Sequence, residues 1–173
     1  MNLRKNILTA LLIAIGLILH QVIPGTIGSM KFDMLLSVIF VALLINQDGK
    51  NAVVTALLGG IITAMTTTFP GGQLPNIIDK LITSGCVFLM IKGAGRFRNN
   101  SIVVGAISFI GTIISGVVFL TSAFYIVGLP APFKALFLGI VLPTAVTNIL
   151  VTLLIYHAVK LAMKATGMKF VQS

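Results

Sequence analysis

Apolar runs separated only by short polar breaks recur along the whole chain, and this pattern constrains the fold more than any other feature. They fall at about residues 7–23, 34–45, 52–68, 77–91, 101–127 and 135–163. Some 20 apolar residues in helix cross the hydrocarbon core of a bilayer. With 57% hydrophobic and 9% charged residues and a mean hydropathy of +1.11, one small soluble core cannot bury this much apolar surface. The expected fold is all-α: one integral membrane domain over 1–173, with six transmembrane helices. The run at 34–45 is short enough to be re-entrant or interfacial. It is taken as a span because the charge pattern downstream requires a crossing. A kink is expected at Pro143. The basic, apolar N-terminus resembles a signal peptide, but no A-x-A-like site follows, so it reads as a retained first helix.

The net charge of +9 follows from loop placement rather than from nucleic-acid binding. With six crossings, Arg4, Lys5, Lys50, Lys92, Arg96, Arg98, Lys160, Lys164 and Lys169 lie on one side. Lys31, Lys80 and Lys134 lie on the other. The positive-inside rule puts the first side, with both termini, in the cytoplasm of a multi-pass cell-membrane protein. The outer loops are then 24–33, 69–80 and 128–134. The single cysteine, Cys86, allows no intrachain disulfide, and it reads as a packing residue.

The stretch FPGGQLPNIIDK, residues 69–80, is the anomaly. It sets two prolines, a Gly-Gly pair, Gln73, Asn76, Asp79 and Lys80 between apolar walls. Such polarity at a membrane boundary calls for water or a ligand. With Lys31 and Asp33 it forms an outer polar set, joined by Asn148 below Pro143. Two acid–base neighbours, Lys31/Asp33 and Asp79/Lys80, suit a zwitterion, a Lys meeting a carboxylate and an Asp an ammonium. Phe32, Phe69, Tyr125, Phe133 and nearby methionines suit an apolar or aromatic side chain. Taken singly these are also ordinary interface residues, with Lys31, Lys80 and Lys134 snorkelling. Asn148 also suits an interhelical hydrogen bond, and Asp48 a solvated turn.

Small residues recur four apart: Ala10/Ala14, the row Ala52, Ala56, Gly60 and Ala64, then Gly111/Ser115 and Thr112/Gly116. Such rows let helices approach closely. His20 and His157 lie near opposite ends of the membrane and have no spaced metal-ligand companions. No phosphate-loop, G-x-S-x-G or H-E-x-x-H motif occurs, so the chain does not read as an enzyme, and no cofactor is expected.

GSMKFDMLL at 28–36, TTTFPGGQLPNIIDK at 66–80, IGTIISGVVFL at 110–120 and IVGLPAPFKALFLGIVLPTAVTN at 126–148 carry a resemblance over essentially the whole chain. It resembles the family of bacterial tryptophan transport proteins, which are substrate-binding S components of energy-coupling factor (ECF) transporters. The resemblance implies an S-component-like six-helix bundle that binds tryptophan from outside. It also implies delivery by toppling with a transmembrane T component and two ABC ATPases, where ATP is hydrolysed. Ala10 and Ala14 would then dock the T component. On that reading Asp79 takes the ammonium and Lys80 or Lys31 the carboxylate. Asn76 and Asn148 orient the ligand, and Phe69 and Tyr125 meet the indole. Other readings are the same S-component role with another substrate such as a vitamin, a stand-alone oligomeric secondary transporter or channel, and a non-transporting membrane scaffold.

Overall fold

The structure, a computed structural model, describes residues 3–22 and 30–167. Pro24, Gly25 and Gly28 of the first outer loop, Lys169 of the tail and the Arg4 side chain lie outside the described residues.

The described chain is helical throughout its regular structure. We number the helices α1 (Leu3–Val22), α2 (Leu35–Ile45), α3 (Gly49–Thr66), α4 (Gln73–Gly93), α5 (Ser101–Ile126) and α6 (Phe133–Ala165). All but α2 are long and apolar enough to cross a membrane. Their outer faces carry exposed Ile, Leu, Val and Phe, for example Leu11 and Ile18 on α1 and Leu150 and Leu154 on α6. Buried serines, threonines and asparagines lie inside, an arrangement suited to lipid rather than water.

Helix α2 differs in kind. Its 11 residues, LLSVIFVALLI, are all buried. A helix apolar on every side belongs inside a bundle, and α2 packs against α1, α3, α4 and α6. Its length is about 17 Å, short of the roughly 30 Å hydrocarbon core. The short apolar run at 34–45 is therefore the central post of the bundle.

Helix ends follow local chemistry. The Asp48 side chain accepts from the Lys50 backbone N–H at 3.1 Å and caps α3, so this turn acid has a structural task. Asn100 caps α5 in the same way through Ile102 at 2.9 Å. A 3-10 turn, Gly95–Asn99, fills the basic link between α4 and α5. Helices α3 and α4 meet along the small-residue row of α3. A Cβ on Gly60 would stand 3.3 Å from the Ile77 Cα, so the row permits the close approach.

One local expectation is corrected. Helix α4 begins at Gln73, not near residue 77, so most of the polar stretch is helical. Pro75 sits in the first turn, where its missing N–H costs nothing. The true turn is only Phe69–Gly72, with Gly72 N–H donating to the Phe69 carbonyl at 2.9 Å and Gly71 at φ 69°. In α6 the irregularity is a π turn, Phe137–Val141, directly before Pro143. A proline ring clashes with the carbonyl four residues back. The widened turn there absorbs the conflict without ending the helix.

Candidate functional site

By chain order, the end of α1, the start of α2, the end of α3, the start of α4, the end of α5 and the start of α6 share one end of the bundle. There they enclose a cavity of about 70 Å³. Its polar floor includes His20, Asp33, Asp79, Lys80, Thr112 and Ser115; its apolar wall includes Met30, Phe69, Phe119, Ile140 and Val141.

The floor is built around Lys80. Its side chain is 1% exposed, and its ammonium pairs with two carboxylates. Asp33 Oδ2 lies 2.6 Å away, and Asp79, on the preceding residue of α4, is also in direct contact. Asp79 is equally buried and accepts from Thr83 Oγ1 and Ser115 Oγ, each at 2.8 Å. A buried charge is tolerable only when so paired and hydrogen-bonded. Two carboxyl groups face one ammonium, so the cluster is rich in acidic groups.

Asp33 lies just before α2. Burial pushes its carboxyl upward, but the Lys80 ammonium outweighs this and, with His20, holds it below the usual carboxylate range. Asp33 Oδ1 also accepts from Leu36 N–H at 3.3 Å and lies 3.9 Å from His20 Nε2. Its backbone carbonyl accepts from Asn148 Nδ2 at 3.0 Å, and the same amide nitrogen reaches Thr112 Oγ1 at 3.2 Å. Asn148 is thus an interhelical tie that fixes Asp33 from below.

Lys31 enters the cavity from the opposite side of this charge balance. Its ammonium donates to the backbone carbonyls of Thr66 at 3.1 Å and His20 at 3.5 Å, which are neutral partners. Above the charges, Phe69 and Phe119 meet edge to face, with ring centroids 5.4 Å apart. The arrangement offers a negative pole, a separate cation and an aromatic wall within one enclosure.

The family model for the tryptophan transporter TrpP matches residues 2–164. The chain belongs to the TrpP family. It is 44% identical over 164 residues to a probable tryptophan transport protein of Clostridium acetobutylicum, covering 95% of this chain and 96% of that one. It is 40% identical over 181 residues to one of Clostridium perfringens, covering 97% and 100%. It is 41% identical over 167 residues to one of Bacillus subtilis, covering 96% of each. No solved structure matches the chain. Family and apolar helices together make it a multi-pass membrane protein.

In this TrpP-family chain, the fold brings Lys31, Asp33, Phe69, Asn76, Asp79 and Lys80 to one cavity. Asn148 lies beneath it, tied to Asp33 and Thr112 rather than lining it. Gln73 is exposed in the first turn of α4, and Tyr125 is 80% exposed beside Phe124, both outside the cavity. Ala10 and Ala14 lie on the exposed face of α1. The rows in α3 and α5 face inward; Gly111, for instance, abuts Phe40 and Val87.

Sequence reasoning missed His20, Thr112, Ser115 and Phe119. In the sequence Ser115 and Thr112 read as small packing residues, although a Ser or Thr inside an apolar helix is also a hydrogen-bond donor. Phe119 follows Ser115 by four residues, so it shares the helix face that points at Asp79. His20 and His157 remain far apart: His20 is at the cavity, and His157 contacts Ser101 near the far end of α6.

Proposed function

We propose that this chain is the substrate-binding S component of an ECF-type ABC importer, binding tryptophan from outside the cell. It would deliver its substrate inward with a T component and two ABC ATPases. The observation that carries the substrate class is the charge layout of the cavity. The acid-rich Asp33–Lys80–Asp79 cluster suits an ammonium, Lys31 on its neutral carbonyls suits a carboxylate, and Phe69 with Phe119 suits an apolar ring. The names of the three relatives supply tryptophan as the member of that class.

The remaining parts of the reading have their own supports. Lys5, Lys50, Lys92, Arg96, Arg98, Lys160 and Lys164 belong by chain order to the end away from the cavity. The positive-inside rule turns that end to the cytoplasm, with both termini, and the cavity outward in a cell membrane. Helix α2 then makes the sixth crossing, completed by the chain on either side of it. Ala10 and Ala14, exposed with Ile7, Leu11 and Ile18, form a small-residue apolar face for the T component. The sequence holds no phosphate loop, so on this reading ATP would be hydrolysed by the partner ATPases.

The test is a titration of the purified protein with amino acids and vitamins. The chain contains no tryptophan, so fluorescence of bound ligand has no intrinsic tryptophan background. Saturable binding of tryptophan, and uptake only when T component and ATPases are present, is the expected result. Uptake by the chain alone in liposomes under an ion gradient would refute the S-component role.

A further inference from the structure

We infer that Asn76 is the residue that selects for an indole N–H, accepting a hydrogen bond from the ring of the bound ligand through Oδ1. The inference rests on the tryptophan reading above and deepens it.

The argument begins with the orientation of the Asn76 amide. Asn76 lines the cavity and is 8% exposed. Its Nδ2 donates to the Gly72 carbonyl at 2.7 Å. A carbonyl only accepts, so the nitrogen must face Gly72, and the amide oxygen is directed elsewhere. Among the described residues Oδ1 receives no hydrogen bond. The residue is buried, but Oδ1 itself stays accessible, an acceptor within reach of a donor on a ligand in the cavity.

The position of Asn76 matches the donor. Along α4 it lies one turn above Asp79 and Lys80, a rise of about 5 Å. A ligand whose ammonium sits at the Asp33–Asp79 pole extends its side chain toward that turn. The aromatic wall stands at the same height: Phe69 belongs to the turn whose carbonyl binds Gly72 N–H, and Gly72 in turn holds Asn76. One short stretch, 69–76, therefore supplies both a face for an aromatic ring and an acceptor for its edge. Among the aromatic amino acids, tryptophan alone carries an N–H on a fused aromatic ring. A buried indole N–H ordinarily finds a partner. Phenylalanine and isosteric rings without that donor leave Oδ1 unpaired, and a site built for a hydrogen bond rejects ligands that lack it.

The experiment compares L-tryptophan with β-(3-benzothienyl)-L-alanine, in which sulfur replaces the ring N–H at nearly unchanged shape. Dissociation constants for both are measured on the purified full chain by calorimetry. For the wild type, tryptophan is expected to bind at least about tenfold tighter. In Asn76→Leu the ratio collapses toward one, through loss of tryptophan affinity rather than a gain in the analogue's. Asn76→Asp retains an acceptor oxygen and retains the preference. A wild-type ratio near one overturns the inference without needing any variant, and so does a preference that survives Asn76→Leu. If neither compound binds the wild type while another solute does, the tryptophan reading falls and this inference falls with it. If both bind equally, only the role of Asn76 falls.

Discussion

Replacing Lys80 by Met tests the buried charge cluster most directly. Methionine keeps nearly the volume and the flexible stem of lysine, so no large cavity opens and packing is preserved. What changes is the charge. Lys80 Nζ lies 2.6 Å from Asp33 Oδ2 and in contact with Asp79, and Lys80 and Asp79 are each 1% exposed. Removing it leaves two carboxylates near each other without their cation. Breaking a buried pair from one side costs about 3–5 kcal/mol. For a domain of this length that lowers the melting temperature by about 6–20 °C. Asp79→Asn and Asp33→Asn each leave Lys80 one carboxylate, so both should cost less. Asp33→Asn should cost least, because Asp33 is 19% exposed and water screens part of its charge. The neutral triple variant Asp33→Asn, Asp79→Asn, Lys80→Met should recover most of the loss, since an ion triad replaced as a whole is often close to neutral. The assay is thermal unfolding in detergent, without ligand. A Lys80→Met melting point within about 2 °C of wild type, or a triple variant as unstable as Lys80→Met, would refute the electrostatic account.

Asp79→Asn should also weaken tryptophan binding by more than about tenfold in the same titration, because a hydrogen bond to a charged group is worth about 1.5–3 kcal/mol; unchanged affinity would remove Asp79 from the ammonium pole. Gly111→Ala places a Cβ 2.8 Å from Val87 Cγ2 and 2.9 Å from Phe40 Cζ, and should destabilise by about 1–3 kcal/mol in thermal unfolding. Gly85→Ala meets nothing within 4 Å in mid-helix and should be neutral or stabilise by up to about 1 kcal/mol, so equal behaviour of the two would contradict the packing described. Leucine at both Ala10 and Ala14 should leave tryptophan affinity intact while abolishing co-purification with the T component and uptake; uptake at the wild-type rate would sink the docking role. Stopped-flow association with tryptophan should level off as ligand concentration rises, because the cavity must open first; a rate that stays linear throughout would contradict that step.

The fold was legible because lipid imposes a coarse rule: apolar runs of sufficient length become helices, and each run of this chain did so within a few residues. The site was legible only in part. Asp79, Lys80, Asn76 and Phe69 share one short stretch, and its polarity between apolar walls marked it. Its first half reads as loop because Gly-Gly and Pro75 look like breakers, whereas a proline in a first helical turn breaks nothing. The pairing of Lys80 with Asp33, 47 residues earlier in the sequence, depends on how α2 seats against α4, which no local pattern encodes. The same holds for His20. The choice of Tyr125 over Phe119 shows a different limit. Both are aromatic and near the outer end of α5, but six residues turn a helix by about 240° from its starting direction. Phe119 shares the face of Ser115, and Tyr125 points out of the bundle.

The size of the cavity adds a constraint on how the site works. At about 70 Å³ it is well below the roughly 300 Å³ and more of a ligand pocket. The charged floor cannot yield that space, because Lys80, Asp79, Ser115 and Asn148 are locked by hydrogen bonds across several helices. The roof is different. Met30, Phe69 and Phe119 belong to a small apolar cluster with Leu136 and Ile140, separate from the large core built around α2. Leu129 and Ala131 of the link between α5 and α6 pack on that same cluster. Separating a small satellite cluster costs far less than disturbing the main core, since the cost scales with apolar area exposed. An aromatic ligand entering there also replaces much of the contact it breaks. On the proposed reading, the ligand's charged groups meet the hydrogen-bonded part of the bundle and its ring meets the small cluster that separates at lower cost.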